Sequence, residues 1–231
     1  MGLGFGLCND WESIMHFTKT IAAAFAVTLA LGAGVAEAKT VNLTTAVSGK
    51  YFGNENWKTG INQTILDRGA PIGQTYNGVS GAFRFSDGVD SFIAFCIDPY
   101  TYLNLGEIFT VEEKASVVAN IDKLFNAAYA DVTDALSASA FQVALWEIVA
   151  ETGLTLDVTD GNHSVSNANV AQVANEYLSR LATANTGKYR YTIYRNSGQD
   201  QIRASEVPLP ASALLLLGGI GGLAAMRRKK A

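Results

Sequence analysis

Alternating apolar and polar positions predict that the first half of the chain is mainly β-structure. Runs of this kind, bounded by Gly, Asn and Asp, place strands near 40–52, 79–86 and 90–97. Asn77-Gly78 and Asp87-Gly88 have the composition of tight turns. We therefore expect short strands joined by hairpin turns in this half.

A spacing of three to four residues between apolar positions replaces this alternation after residue 109. Thr110-Val111-Glu112-Glu113 is typical of a capping box, and the apolar residues after it predict a helix over 110–129. Two further helices are predicted near 133–151 and 167–184. The middle of the chain is thus predicted to be helical.

Alternation returns in the segment KYRYTIYR, at 188–195, and predicts a strand before a polar linker that leads to residue 207. Strands followed by helices and a returning strand indicate an α+β domain. The fold predicted for 39–206 is a β-sandwich or barrel-like core with an inserted helical subdomain. No repeat or change in composition divides these residues into two domains.

The start of the chain has the three parts of a secretory signal peptide, at 15–38. An apolar run follows Lys19, and Ala36-Glu37-Ala38 has the small-x-small pattern of a cleavage site. The alternative is a core helix, which two glycines within the run disfavour. We therefore expect the chain to be exported.

The end of the chain, 207–231, combines a proline motif, an apolar run and a basic cluster in that order. The motif consists of Val207, Pro208, Leu209, Pro210 and Ala211. This tail closely resembles the VPLPA variant of the PEP-CTERM sorting tail of Gram-negative bacteria with exosortase systems. The resemblance implies a transient inner-membrane intermediate, processing by an exosortase, and delivery to the cell surface or extracellular matrix. An ordinary C-terminal membrane anchor is the alternative.

The charge of the remaining domain bears on its partners. Residues 39–206 contain 12 basic and 18 acidic side chains, which disfavours nucleic acid and anionic membranes as principal partners. Lys188, Arg190 and Arg195 alternate with tyrosines in the manner of a surface for single-stranded nucleic acid. A half-exposed strand explains this pattern equally well. We expect no nucleic-acid partner.

Cys96 is the single cysteine after the predicted cleavage site, so an internal disulfide cannot form. In the strand near 90–97 it shares one face with Phe92, Ala94 and Asp98, and the opposite face is also apolar. Such a strand is covered on both sides, so the thiol is expected to point into a buried layer. A purely structural buried cysteine is the alternative interpretation.

Gln142 is a polar residue inside the apolar arc of the helix near 133–151. At about 100° per residue it lies between Leu145 and Trp146, whereas Glu147 and Glu151 fall on the side expected to face water. A buried amide without a partner costs about 1–3 kcal/mol. The placement therefore predicts either a functional role or a hydrogen bond to a neighbouring backbone.

The segments FCID, around Cys96, and FQVALW, around Gln142, closely resemble two motifs of the bacterial Cys–Gln thioester domain of surface adhesins, also called the TQXA domain. The resemblance implies that Cys96 is the thiol and Gln142 the acyl donor of an internal thioester. Phe141 departs from the pattern, because many members have Thr at that position. The implied function is covalent attachment to an amine or hydroxyl on an unknown target surface.

Thioester formation needs rigid positioning, because amides resist thiols in solution. Effective molarities of about 10⁵–10⁸ M are what such positioning supplies. Burial makes a thiol less nucleophilic, so a base or a donor must assist, and Asp98 is a candidate. Phe141, Leu145 and Trp146 would shield the bond from water. Attachment would occur once, without turnover, so the protein is not expected to be an enzyme.

Other functions for Cys96 are a cysteine hydrolase, a zinc site and a structural role. A cysteine hydrolase would pair Cys96 with His163, but no nucleophile motif surrounds Cys96. One Cys and one His are too few for a zinc site, so neither a metal nor a cofactor is expected. The main alternative to the thioester is a noncovalent component of the extracellular matrix in which Cys96 and Gln142 merely pack.

Overall fold

The computed structural model describes residues 39–45, 52–53, 57, 59–67, 74–151 and 155–208. Its strands, in chain order, are β1 (Lys39–Val41), β2 (Thr44–Thr45), β3 (Ile61–Asp67), β4 (Gln74–Ser80), β5 (Phe83–Ser86), β6 (Ser91–Cys96), β7 (Phe109–Lys114), β8 (His163–Val165), β9 (Tyr189–Arg195) and β10 (Gln201–Glu206). Its helices are α1 (Ala119–Ala128), α2 (Ala135–Ala150) and α3 (Ala168–Ser179). The predicted signal peptide at 15–38 and residues 209–231 of the tail lie outside the described residues.

The described strands form two antiparallel sheets. The larger sheet has the order β1-β7-β9-β10-β6-β5-β2 and curls into a half-barrel, and the smaller one has the order β4-β3-β8. The three helices and β8 are inserted between β7 and β9. The predicted α+β fold, with helices inserted into a barrel-like β core, is therefore confirmed.

An aromatic cluster fixes α1 and α2 against the larger sheet. The ring of Phe141 on α2 lies 4.7 Å from Phe95 of β6 and 5.0 Å from Phe125 of α1. Tyr191 of β9 lies 5.3 Å from Phe125. Aromatic pairs at these distances contribute about 0.5–1.5 kcal/mol each beyond the burial of their surface. This packing sets the position of α2 over β6.

A buried polar chain joins α2 to the smaller sheet. The hydroxyls of Ser139 on α2 and Ser80 on β4 are hydrogen-bonded, and Nε2 of Gln63 on β3 donates to the Ser80 hydroxyl. All three residues are buried. Helix α2 is therefore held between the two sheets.

The prediction of a helix over 110–129 is wrong for the first part of that range. Residues Phe109–Lys114 form β7 between β1 and β9, and α1 begins only at Ala119. Phe109 is fully buried, and Val111 pairs with Tyr194 of β9. The capping-box pattern was overridden because a strand far along the chain pairs with this segment.

The turn predicted at Asn77-Gly78 is also wrong, since both residues lie inside β4. Glycine is suited to this position because a Cβ there would lie 2.9 Å from Cδ1 of Ile65 on β3. The turn predicted at Asp87-Gly88 is confirmed: it joins β5 to β6, and Gly88 has φ of +89°.

Several other boundaries differ from the prediction. The polar linker expected after residue 195 contains β10, an inner strand in which Gln201 and Ile202 are fully buried. The strand predicted at 40–52 is divided into β1, β2 and a bridge at Phe52, and 46–51 lie outside the described residues. Polar strands such as β3 carry too little alternation to be recognised.

Candidate functional site

Strand β6 ends at Cys96 in the interior, as its pattern predicted. Phe92, Ala94, Phe95 and Cys96 are all buried, and the exposed fraction of Cys96 is 0%. The thiol is free, and it donates to the backbone oxygen of Asp98 at 3.0 Å. The backbone N–H of Asp98 lies 3.3 Å from the sulfur. A short turn of main chain therefore holds the thiol.

Helix α2 begins at a capping box and is buried on nearly all sides. The carboxylate of Asp134 accepts from the N–H of Ser137 at 2.8 Å, and the Ser137 hydroxyl accepts from the N–H of Asp134 at 3.0 Å. Gln142, near the middle of the helix, is 0% exposed. Its predicted position inside the apolar arc is confirmed.

The carboxamide of Gln142 binds the backbone of Cys96 through two hydrogen bonds. The N–H of Cys96 donates to Oε1 at 2.8 Å, and Nε2 donates to the carbonyl oxygen of Cys96 at 2.8 Å. We call this contact the Cys96–Gln142 junction. Each polar atom of the carboxamide thus has a partner, although the whole contact is inaccessible to water.

The junction replaces a missing strand pair. The last pair between β5 and β6 is Phe83 with Ala94, so residue 81 would face Cys96 if β5 continued. The next N–H along β6, that of Ile97, points the other way and donates to Asp200 beside β10. A primary carboxamide has the donor and the acceptor of a peptide group. Gln142 therefore occupies the place of the absent strand.

Burial raises the pKa of the Cys96 thiol far above its ordinary value. The indole of Trp146 lies against the sulfur and opposes this rise. Its N–H nevertheless makes no hydrogen bond of ordinary geometry within the described residues, although Trp146 is only 5% exposed. The thiol is protonated at neutral pH, so an attack by sulfur would require transfer of this proton.

The other predicted site residues surround the junction in different ways. Phe141 and Leu145 are fully buried. Trp146 follows Gln142 by one turn of α2 and reaches the sulfur. The carboxylate of Asp98 accepts from the N–H of Tyr100 at 3.1 Å, so the contacts of Asp98 with the thiol come from its main chain.

A second polar group on α2, Glu147, was predicted on the wet side, and this prediction is wrong. Glu147 is 1% exposed; its Oε1 accepts from the N–H of Asp157 at 2.8 Å, while Oε2 has no partner among the described residues. Burial raises its pKa to about 7. Periodicity alone could not show that later segments cover this face of α2.

His163, which a hydrolase would pair with Cys96, is the first residue of β8 and is 0% exposed. Its ring packs on Trp146 with centroids 5.6 Å apart, and neither ring nitrogen has a hydrogen-bond partner among the described residues. Burial lowers its pKa to about 4, so the ring is neutral. Trp146 thus neighbours both His163 and the thiol, a neighbourhood that sequence reasoning missed.

A pocket adjoins the junction at Trp146. It encloses about 210 Å³ between the smaller sheet and the loop after β6. Its walls are formed by Ile65, Tyr76, Asn77, Gly78, Val79, Phe83, Pro99, Tyr100, Thr101, Tyr102, Trp146 and Gln199. We call this space the Trp146 pocket.

Two of the basic residues in 188–195, Lys188 and Arg195, form ion pairs with acidic neighbours. Lys188 lies 3.1 Å from Glu206, and Arg195 forms ion pairs with Glu112 and Asp200. Three or more potential metal ligands do not come together anywhere in the described part of the chain.

The described part of the sorting motif is Val207 and Pro208, and the N–H of Val207 donates to the Lys188 carbonyl at 3.0 Å. Leu209, Pro210 and Ala211 lie outside the described residues. No helix within 39–208, as far as these residues are described, has the length and hydropathy to cross a membrane.

Comparisons of this chain with protein-family models, with curated proteins and with solved structures found no match.

Proposed function

We propose that this is an exported surface or matrix protein in which Cys96 and Gln142 form an internal thioester that attaches covalently to a target. The observation that carries the proposal is the Cys96–Gln142 junction, in which the buried carboxamide binds both backbone groups of the residue whose thiol would attack. Positioning of this kind is what the reaction of a thiol with an amide requires.

The junction supplies two features of acyl transfer. The N–H of Cys96 donates to Oε1 of Gln142, the atom on which negative charge would develop in the tetrahedral intermediate. The carbonyl of Cys96 accepts from Nε2, the leaving nitrogen. Rotation of the Cys96 side chain away from Asp98 would direct the sulfur to the carboxamide carbon.

The reaction balances without an external reagent. The Cδ–Nε2 bond of Gln142 breaks, the bond between Cδ and Sγ of Cys96 forms, and the thiol proton moves to the departing nitrogen, which leaves as ammonia. Because burial raises the pKa of the thiol, proton transfer is the difficult step. An amine or hydroxyl on the target would later displace the sulfur, which leaves a free thiol and no turnover.

The proposed route to the surface uses both ends of the chain. The signal peptide at 15–38 directs export, and the tail at 207–231 holds the protein at the inner membrane until an exosortase processes it. The product is released to the cell surface or extracellular matrix. The basis for this route is the order of motifs in the tail.

The intact mass of the secreted protein tests the thioester. The proposal predicts a mass lower by one ammonia than the processed sequence requires, and a gain of one methylamine after incubation with that amine. The Cys96→Ala variant should have its full calculated mass and remain inert to methylamine. An unmodified wild-type mass, with one thiol that reacts after denaturation, would contradict the proposal.

The second candidate is a noncovalent matrix component. It is favoured by the way in which the Gln142 carboxamide completes the hydrogen bonding of β6 while the sulfur is turned to Asp98. In this case the junction serves the fold alone, and the unmodified mass described above is the expected result.

A further inference from the structure

The Trp146 pocket is separate from the Cys96–Gln142 junction but shares one residue with it. Trp146 lines the pocket and also lies against the sulfur of Cys96. Pro99 and Tyr100, which also line the pocket, follow Cys96 closely in the chain. A group bound in the pocket is therefore separated from the thiol by one indole ring.

The size of the pocket limits its ligand. Its volume of about 210 Å³ is below the ~300–1,000 Å³ that is common for drug-sized ligands. A single ring, or the end of a side chain, is the largest group that would be enclosed. Tyr76, Tyr100, Tyr102 and Trp146 supply aromatic surface for such a group.

The polar groups of the pocket decide between ligand classes. None of the residues described in its lining is Asp, Glu, Lys, Arg or His. Asn77 accepts from Thr64 through Oδ1, and Gln199 accepts from Gln201 through Oε1. With respect to the residues that the structure describes, the NH₂ groups of both amides are therefore the donors left for a ligand. An ammonium group has only donors and would be desolvated without a counter-charge.

We infer that the Trp146 pocket binds one ring of a neutral saccharide, and that displacement of the Trp146 indole then presents a sugar hydroxyl to the Cys96–Gln142 bond. Aromatic rings cover the C–H faces of the sugar, and the amide NH₂ groups donate to its oxygens. Only the covalent step rests on the proposed function. In that step the hydroxyl oxygen bonds to Cδ of Gln142, the Cδ–Sγ bond breaks, and the hydroxyl proton passes to sulfur.

Binding is tested in Cys96→Ala protein, which cannot form a thioester. Titration with cellobiose, monitored by tryptophan fluorescence, should give a saturable change. Tyr102→Ala should weaken binding about tenfold, the loss expected for one aromatic contact. Tyr102 is 85% exposed, so this variant should fold. Val89→Ala is the matched control, because Val89 is 90% exposed and lies outside the pocket.

The outcomes separate this inference from the proposed function. Saturable binding of cellobiose to Cys96→Ala, without loss of ammonia in the wild type, would support the pocket and contradict the thioester. Loss of ammonia with addition of methylamine, but no binding or addition of cellobiose, would overturn the inference and leave the thioester. Stronger binding of lysine amide than of cellobiose, weakened by Tyr102→Ala, would overturn it in favour of an amine site.

Discussion

Two polar side chains of α2, Gln142 and Glu147, are both buried but differ in how their atoms are satisfied. Gln142 has a partner for each polar atom, both on the backbone of Cys96. Glu147 has one partner, the N–H of Asp157, and its second oxygen has none among the described residues. The neutral amide therefore fits the interior, whereas the carboxylate is disfavoured there.

Because of this difference, Gln142 and Glu147 are expected to affect the stability of the fold in opposite directions, although they lie little more than one helical turn apart. The Cys96–Gln142 junction is uncharged and should stabilise the fold at every pH. Glu147 should oppose folding once it ionises, because burial raises its pKa to about 7. The polar side chain of Gln142 therefore stabilises the fold, whereas that of Glu147 destabilises it at high pH.

The largest effect is expected for Gln142→Leu, made in Cys96→Ala protein, in which no thioester can remove Nε2 of Gln142. The variant leaves the N–H and C=O of residue 96 buried without partners, so we expect a loss of about 3–5 kcal/mol in the free energy of unfolding, measured with urea. Gln63→Leu is the matched control, since Gln63 is a buried glutamine whose Nε2 donates to a side chain, Ser80. Its loss should be about 1 kcal/mol. Equal losses for the two variants would contradict the role of the junction.

The next effect is the pH dependence caused by Glu147. Its pKa is raised in the folded state, so its native proton stabilises the protein below pH 4.5, and this contribution is lost as the pH rises through about 7. The loss amounts to at most about 3 kcal/mol. Glu147→Gln should remove it, and urea unfolding at pH 5 and pH 8 measures the difference.

An exposed carboxylate provides the control for that measurement. Glu107→Gln changes an exposed carboxylate and should leave the pH profile of the wild type unchanged. The carboxylates that face Glu147, those of Glu151 and Asp157, remain in both proteins. A Glu147→Gln protein that loses stability from pH 5 to pH 8 as steeply as the wild type would show that Glu147 does not titrate as described.

The smallest effect concerns Asp122, a buried carboxylate that is well satisfied, in contrast to Glu147. Asp122 accepts from the Tyr191 hydroxyl at 2.6 Å and from the N–H of Gly187 at 3.1 Å. Tyr191→Phe removes one of these bonds and should reduce the free energy of unfolding by about 1–2 kcal/mol. An unchanged free energy of unfolding in urea would mean that the hydrogen bond from Tyr191 to Asp122 does not stabilise the fold, and it would contradict the contrast with Glu147.

Sequence patterns located the two residues of the junction, and the motif resemblance paired them, but neither predicted that the Gln142 carboxamide binds the backbone of Cys96. The alternation in β6 predicted that Cys96 is buried, and the helical period of α2 predicted that Gln142 lies in the apolar arc. The hydrogen bonds arise because β5 begins at Phe83 and leaves Cys96 without a partner on that side, whereas Gln201 of β10 pairs with Cys96 on the other side. The starting point of a neighbouring strand depends on tertiary packing, which no local pattern contains.

The errors have the same origin. Glu147 was placed in water because a helical wheel gives directions but not what covers each side, and α2 is covered nearly all round. The segment that forms β7 was predicted as helix because its partner strand β9 lies much later in the chain. Local periodicity predicted where β6 and α2 lie, and it failed where remote segments decide whether a helix face is covered or a segment pairs as a strand.

Peptide mapping would detect the proposed bond between Cys96 and Gln142 without reference to any binding partner. The secreted protein would be digested with pepsin at low pH, without reductant, and the fragments sequenced by tandem mass spectrometry. The proposed thioester predicts one cross-linked species that contains both residues and lacks one ammonia. Recovery of the two segments only as separate peptides, with an intact amide and a free thiol, would contradict it.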